Sequence, residues 1–337
     1  MVWLWVPGLV IAAFVARWGA EQLAAPLKAV RMRYGFTGAA GGPLVALGSA
    51  SPDVGINAVS AITGTASIGL GSMLGSTVVS IPITVAVAYA AVRRNRSQGE
   101  RPAEGNGQLR VQRDAVFVDA LPYLAIVVLF AVLVLPPPWR GLQPIDGLIA
   151  AAAYIVFLLQ ALLRGRGGER GEVSWSTRKT WLAVAGVLAL ALGAYVLVTG
   201  TRQVGNALGL QPIVSGLFIT AFMTALPQVF TTWSVVRTGQ VTSGVTSVFA
   251  DHTMTFTLAV VPLAIVGVQI RDLLLVVVVM GFVALMPLLF SVLALRRAST
   301  CSSPIGTVVD DERVTCRTPD IPPPDQVTSH VVVPVTV

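Results

Sequence analysis

The chain alternates long apolar runs with short polar ones. Runs near the 20 or so residues that a helix needs to cross the hydrocarbon core fall at roughly 2–18, 37–63, 67–93, 115–136, 143–163, 180–199, 212–237, 241–267 and 272–295. The pattern predicts an all-α membrane protein, a polytopic bundle of about nine transmembrane helices embedded in a lipid bilayer. Two interruptions are rich in Gly, Arg and Glu: RRNRSQGERPAEGNGQLRVQRD over 93–114 and RGRGGERGEVSWSTRK over 164–179. Such segments offer too little apolar surface to fold and are expected to be solvated. After Arg297 neither a sustained apolar run nor a periodicity remains, so 298–337 is predicted to be a disordered tail.

Composition sharpens this picture. Of 337 residues, 54% are hydrophobic and only 12% charged, against about 25% charged in soluble domains, and the mean hydropathy is +0.76. The net charge of +7 does not imply a nucleic-acid partner, because the basic residues lie between apolar runs, where they set topology. Arg17, Lys28, Arg31, Arg33, the segments Arg93 to Arg113 and Arg164 to Lys179, Arg237, Arg296 and Arg297 fall on one side of the predicted bundle. Only Arg140, Arg202 and Arg271 fall on the other. The positive-inside rule makes the first side cytoplasmic and puts the N-terminus outside the cell membrane and the tail inside. Cys301 and Cys316 both lie in the tail and support neither a disulfide framework nor a metal motif. No basic stretch precedes the first apolar run and no small-residue cleavage site follows it, so no secretory signal peptide is expected. The pattern sets no oligomeric state.

One apolar run is anomalous. GSASPDVG, residues 48–55, places two serines, a proline and a carboxylate inside it. Shifting the sequence by 175 residues lays ALGSASPDVGINAVSAITGTASIGLGSMLGST (46–77) over AFMTALPQVFTTWSVVRTGQVTSGVTSVFADH (221–252). Ala46, Ala50, Pro52, Thr63, Gly64, Gly69 and Ser72 meet Ala221, Ala225, Pro227, Thr238, Gly239, Gly244 and Ser247; Ser49 meets Thr224, and Asp53 meets Gln228. Five predicted spans separate the two starts, and an odd number brings the second copy into the membrane from the opposite side. Two inverted-topology repeats with proline-interrupted helices are the sequence mark of a secondary transporter whose site lies near the midplane. The expected organisation is a first repeat over 1–163 (core 37–93), a cytoplasmic loop over 164–179, a second repeat over 180–297 (core 212–267) and the tail over 298–337.

These residues resemble a known family. ALGSASPD followed by GLGSMLGSTVVSIP is similar to the first α-repeat of the cation/calcium exchanger superfamily, the sodium/calcium exchangers and their bacterial relatives, which reads as a Gly-Thr-Ser-x-Pro-Glu box and then a Gly-Asn-x-x-Gly-Ser-Asn box. FMTALPQ and SVFADHT look like an eroded second copy. Several positions depart from the family pattern. The first glutamate position is Asp53 and the second is Gln228, which carries no charge. The Gly-Ser-Asn box keeps Ser76 but has Thr77 for its Asn, and the second copy has Asp251 and His252 there; one turn on, where members often place Asn or Asp, stand Ser80 and Thr255. Members usually have ten spans, five per repeat, where nine are predicted here. The resemblance implies a sodium/calcium-exchanger-like antiporter moving Ca2+, Na+ or H+ as cargo, without a bound cofactor.

The residue chemistry fits such cargo. Hard cations exchange their water for oxygen ligands, six to eight for calcium. Pro52 and Pro227 each remove a backbone donor and disturb the preceding turn, and irregular backbone at membrane depth is tolerated where it lines a cavity. Half a cation site is expected from Pro52, Ser49 and Asp53, and the other half from Pro227, Thr224 and Gln228, with Ser76, Asp251 and His252 at the sides. Asp251 beside His252 also suggests proton sensitivity, since histidine titrates near neutral pH. Plainer readings exist: Asp53 as a helix cap, Asp251–His252 as a structural pair, and the hydroxyls bonding their own helix carbonyls. Gly71 and Gly75 read as helix packing, Asp119 as interfacial, and His330 carries no assignment. Rival functions are a degenerate exchanger fold acting as sensor or scaffold, and an intramembrane protease. An aspartyl dyad lacks its usual boxes here, and a serine protease lacks its Gly-x-Ser-x-Gly elbow.

Overall fold

The computed structural model describes residues 5–34, 47–48, 50–97, 113–135, 140–164, 177–237, 241–270, 272–298, 309–310 and 313–314. Its helices are α1 (Trp5–Tyr34), α2 (Ser51–Ile62), α3 (Ala66–Ser97), α4 (Arg113–Val134), α5 (Pro144–Arg164), α6 (Thr177–Ala207), α7 (Pro212–Arg237), α8 (Val241–Thr255), α9 (Val261–Val266) and α10 (Leu273–Ala298). The protein is an all-α polytopic membrane bundle, in which α3 over Ala66–Val92, α6 and α7 are each long and apolar enough to span a bilayer. Two-residue strands β1 (Gly141–Leu142) and β2 (Val268–Gln269) pair antiparallel and join the α4–α5 connection to the α9–α10 connection. Val309–Asp310 and Arg313–Val314 form a second such pair within the expected tail. Most of that tail and of the two polar loops lies outside the described residues.

Small residues set the helix spacing. Along α6, Gly186, Gly193 and Gly200 recur every seventh position, a period that keeps one seam facing a neighbouring helix. A Cβ at Gly200 would strike Leu9, one at Gly193 the Ala12 carbonyl and Ala16, and one at Gly186 the Gln22 side chain. Rising numbers on α6 thus meet falling numbers on α1, and the two helices run antiparallel. A second seam joins α3 to α7, where a Cβ at Gly71 would meet the Ile213 carbonyl and one at Gly75 the Leu217 carbonyl. Here the numbers rise together, so these helices run parallel. Without water to drive apolar surfaces together, such close backbone approach is what holds helices to one another in lipid. The largest buried cluster lies among α3, α4, α8, α9 and α10, with Tyr123, Phe130, Phe249 and Phe256 at its centre. Ring centroids there are 5.6 Å (Tyr123–Phe249) and 5.2 Å (Phe130–Phe256) apart.

Three elements differ from the sequence expectation. The first span, read as 2–18, continues as helix to Tyr34 through Glu21, Lys28, Arg31 and Arg33. Hydropathy registers membrane depth, whereas Ala, Glu, Gln, Leu, Lys and Arg all favour helix whatever surrounds them. Pro52 stands in the first turn of α2, where its missing N–H costs nothing, but Pro227 lies inside a continuous helix. The irregularity of α7 comes earlier, in a π-turn over Gly216–Thr220. The run 241–267 is likewise broken: helix ends at Thr255, the N–H groups of Leu258 and Ala259 both turn back to the Met254 carbonyl, and α9 restarts ahead of Pro262. Thr253, Thr255 and Thr257, β-branched at every second position, and Pro262 five residues after the last of them weaken the helix there.

Gly75→Val is expected to lower the thermal unfolding midpoint of the detergent-solubilised protein through an overpacking cost of about 1–3 kcal/mol. Gly281→Ala, whose methyl group would meet nothing within 4 Å, should leave the midpoint unlowered. An unchanged midpoint for Gly75→Val would contradict the close α3–α7 seam.

Candidate ion-binding site

A small cavity lies where α1, α2, α3, α6, α7 and α8 converge, with a volume of about 30 Å³ open to water-sized centres. That is space for an ion with a water, since one water needs about 10–15 Å³ by this measure. From α1 it is lined by Ala13, Ala16 and Arg17, and from α6 by Leu197. Ala50, just ahead of α2, and Pro52 and Asp53 in its first turn come next, and α3 adds Ser76 and Ser80. Opposite these, α7 contributes Thr224, Pro227 and Gln228, and α8 contributes Asp251.

The polar atoms are arranged for a positive guest. Ser76 Oγ donates to the Met73 carbonyl at 3.0 Å, and Thr224 Oγ1 donates to the Ala221 carbonyl at 3.0 Å. These are the plain helix-back bonds foreseen for such hydroxyls, and they have a consequence: with each proton committed to the helix, the oxygen lone pairs remain for the cavity. Asp53 sits in the first turn of α2, where the helix dipole favours an anion. Its Oδ2 accepts a hydrogen bond from Thr255 Oγ1 at 2.8 Å, which reaches across from the end of α8 and fixes the carboxylate. Asp53 and Asp251 share one small wall, and like charges so placed repel unless a cation or proton intervenes. Among the described residues no three His, Cys, Asp or Glu side chains cluster to hold a metal, and the carboxylates on the lining are Asp53 and Asp251.

The 175-residue offset exposes an inequality. Asp53 and Thr255 correspond to Gln228 and Ser80 in the other copy. The first pair is hydrogen-bonded, yet Gln228 Oε1 and Ser80 Oγ are both buried and have no hydrogen-bond partner among the described residues. Two uncommitted oxygens therefore face the cavity, one from each half of the chain. Buried oxygens without donors are costly unless a cation or water answers them.

Asp53, Ser76, Thr224, Gln228 and Asp251, all anticipated from sequence, thus meet on one cavity together with Pro52 and Pro227. Ser49 lies outside the described residues. His252 does not line the cavity. It is fully buried, with Nδ1 3.2 Å from Thr77 Oγ1 and Nε2 without a partner among the described residues. Asp251 and His252 are adjacent, and successive helical residues point about 100° apart, so only one of them faces the cavity. Asp146 caps its own helix by accepting from the Gln143 N–H at 2.8 Å, and the side chain of Asp119 lies outside the described residues. Three contributors were not among the expected site residues, although Thr255 stands at a family position. Asn57, buried on α2, donates to the Ala259 carbonyl in the broken segment after α8 at 2.6 Å. Thr255 supports Asp53 from one turn beyond Asp251, and that i+4 spacing was the available signal. Arg17 read as a loop charge because the span appeared to end there.

The family-model comparison decides the affiliation. The model for the sodium/calcium exchanger protein family matches residues 2–163 and again 178–310. The chain belongs to that family. Among solved structures, the sodium-calcium exchanger NCX_Mj soaked with 2.5 mM Na+ and 10 mM Sr2+ matches with a TM-score of 0.58 at 18% identity, covering 87% of this chain and 92% of that one. The same exchanger soaked with zero Na+ and Ca2+ matches with a TM-score of 0.54 at 18% identity over 87% and 92%. At these identities the likeness is one of fold. No curated protein matches the chain. Membership of the exchanger family makes this a membrane transporter and not an enzyme.

Thr255→Val removes the donor that holds a buried carboxylate, and a lost bond to a charged group costs about 1.5–3 kcal/mol. Ser80→Ala removes an oxygen that bonds to nothing and should cost less than about 0.5 kcal/mol. Thermal or denaturant unfolding of the two variants in detergent measures the difference; equal effects would contradict the described inequality.

Proposed function

We propose that the protein is a secondary active cation antiporter of the sodium/calcium exchanger type, working by alternating access to the cavity around Asp53. The observation that carries this reading is the meeting of Asp53, from the first half of the chain, with Thr224, Gln228 and Asp251, from the second, on one small wall of oxygens. Ionisable residues inside spanning segments are rare and serve ion pathways, and this pair sits with Ser76 and Thr224, whose hydroxyls donate to their own helices. NCX_Mj was soaked with Na+, Ca2+ and Sr2+; here Ca2+ or another cation would move against Na+ or H+.

Two features support an inverted repeat. Helices α1 and α6 occupy equivalent positions under the 175-residue shift and run antiparallel, as copies related by a two-fold axis in the membrane plane must. Thr77 and His252 are 175 residues apart and in contact; equivalent residues touch when both lie on the axis that relates them. His252 then acts as a central structural contact and Asp251 as the cavity residue. On this reading the repeats are 1–163 and 180–297, with core segments 37–93 and 212–267, joined through a cytoplasmic loop over 164–179. The positive-inside rule puts the N-terminus outside and the tail over 298–337 in the cytoplasm. Ser49, preceding Ala50 on the cavity wall, would add an oxygen to the set of Asp53, Ser76, Thr224, Gln228 and Asp251.

Uptake of labelled calcium and sodium into proteoliposomes under imposed sodium and proton gradients tests the proposal. Gradient-driven exchange is expected, and Asp53→Asn should abolish it while the protein remains folded and inserted. Unaltered transport by Asp53→Asn would remove Asp53 from the site, and absence of all exchange would favour a non-transporting sensor or scaffold built on this fold. Gln228→Glu restores a charge across the cavity. Because a charge pair at an effective dielectric of about 20 is worth several kcal/mol at close range, divalent affinity should rise by about tenfold or more. No rise would count against the facing geometry.

A further inference from the structure

Resting on the antiporter reading, we infer that Arg17 is a specificity-determining residue: a fixed positive charge built into the wall of the cation cavity that tilts it toward monovalent cargo. Arg17 lies on α1 on the same helical face as Ala13, and both line the cavity with Asp53 and Asp251. Its guanidinium is held in place. Nη2 donates to Thr231 Oγ1 on α7 at 2.9 Å, and Nε donates to Glu21 Oε1 at 3.2 Å. The Thr231 hydroxyl in turn donates to the Pro227 carbonyl at 3.1 Å, so its lone pair is directed to the arginine and its proton to the helix. The Arg17 side chain is 18% exposed and that of Glu21 57%.

Guanidinium stays protonated at any pH a cell reaches and has no acceptor atom. Arg17 therefore cannot ligate a cation and cannot switch off; it acts on the guest through its field alone. Two carboxylates and one guanidinium on the lining leave one net negative charge. A monovalent ion balances that charge, and a divalent ion overshoots it. Glu21, paired with it at 3.2 Å, offsets part of the arginine's field but not all of it, because it is the more exposed to screening water. The Coulomb energy between a fixed charge and a guest is proportional to the charge of the guest. Neutralising Arg17 must therefore change the logarithm of divalent affinity about twice as much as that of monovalent affinity, a proportion that loosened packing does not produce.

The test is calorimetric titration of the purified full-length protein in detergent with sodium chloride and with calcium chloride, choline chloride holding the ionic strength. For Arg17→Gln, a rise of about threefold in sodium affinity should accompany a rise of about tenfold in calcium affinity. Arg17→Lys, which keeps the charge, should keep the wild-type ratio of the two. Glu21→Gln should lower calcium affinity more than sodium affinity. Equal fold-changes for the two ions in Arg17→Gln, or the same behaviour in Arg17→Gln and Arg17→Lys, would overturn the inference and leave the antiporter reading standing. Should Arg17→Gln not fold, an unchanged calcium-to-sodium ratio in Glu21→Gln overturns it equally. A folded wild-type protein that binds neither ion would overturn the antiporter reading and this inference together.

Discussion

A carboxylate inside a bundle of lipid-facing helices is tolerable only where other groups answer its charge, and the organisation around Asp53 follows from that requirement. A helix N-terminus, a threonine hydroxyl from a distant helix and a small polar cavity all meet on this one side chain. Ser76 and Thr224 give their protons to their own helices, so what they turn inward is oxygen. A cation finds several acceptors there.

That arrangement depends on helices lying unusually close. The cavity draws on six helices, and side chains as short as Asp, Ser and Thr reach a common point only if the backbones are near one another. Gly71 and Gly75 bring α3 onto α7, and Gly186, Gly193 and Gly200 bring α6 onto α1. Glycine, which weakens a soluble helix, here permits the approach that makes a site from short side chains. The same closeness explains the size of the cavity, which suits an ion and excludes a peptide or an organic solute.

Much of this was legible in the sequence, for physical reasons. Apolar run length reflects bilayer thickness directly, so the membrane class and the spans read at 67–93, 180–199 and 212–237 were readable. The 175-residue offset paired Asp53 with Gln228 and Ser49 with Thr224, and of these Asp53, Thr224 and Gln228 line one wall. What escaped were features that hydropathy does not encode. The extent of α1 was missed because charged residues ended the apolar run without ending the helix, and Arg17 was lost with it. Pro227 read as a break, whereas the helix absorbs it and places its irregularity at Gly216–Thr220. His252 seemed a partner of Asp251 because neighbours in sequence look like neighbours in space; on a helix they face different ways, and only Asp251 reaches the cavity.

The unequal hydrogen bonding of the two copies has a consequence for how such a molecule rests. If the two halves are inverted copies, as proposed, an exact duplication would make the forms open to either face of the membrane two-fold equivalents of the same free energy. Here the bond between Thr255 and Asp53 has no counterpart between Ser80 and Gln228. On the proposed antiporter reading, whichever conformation preserves that bond is the deeper well, and the divergence of the two halves supplies the bias that makes one way home.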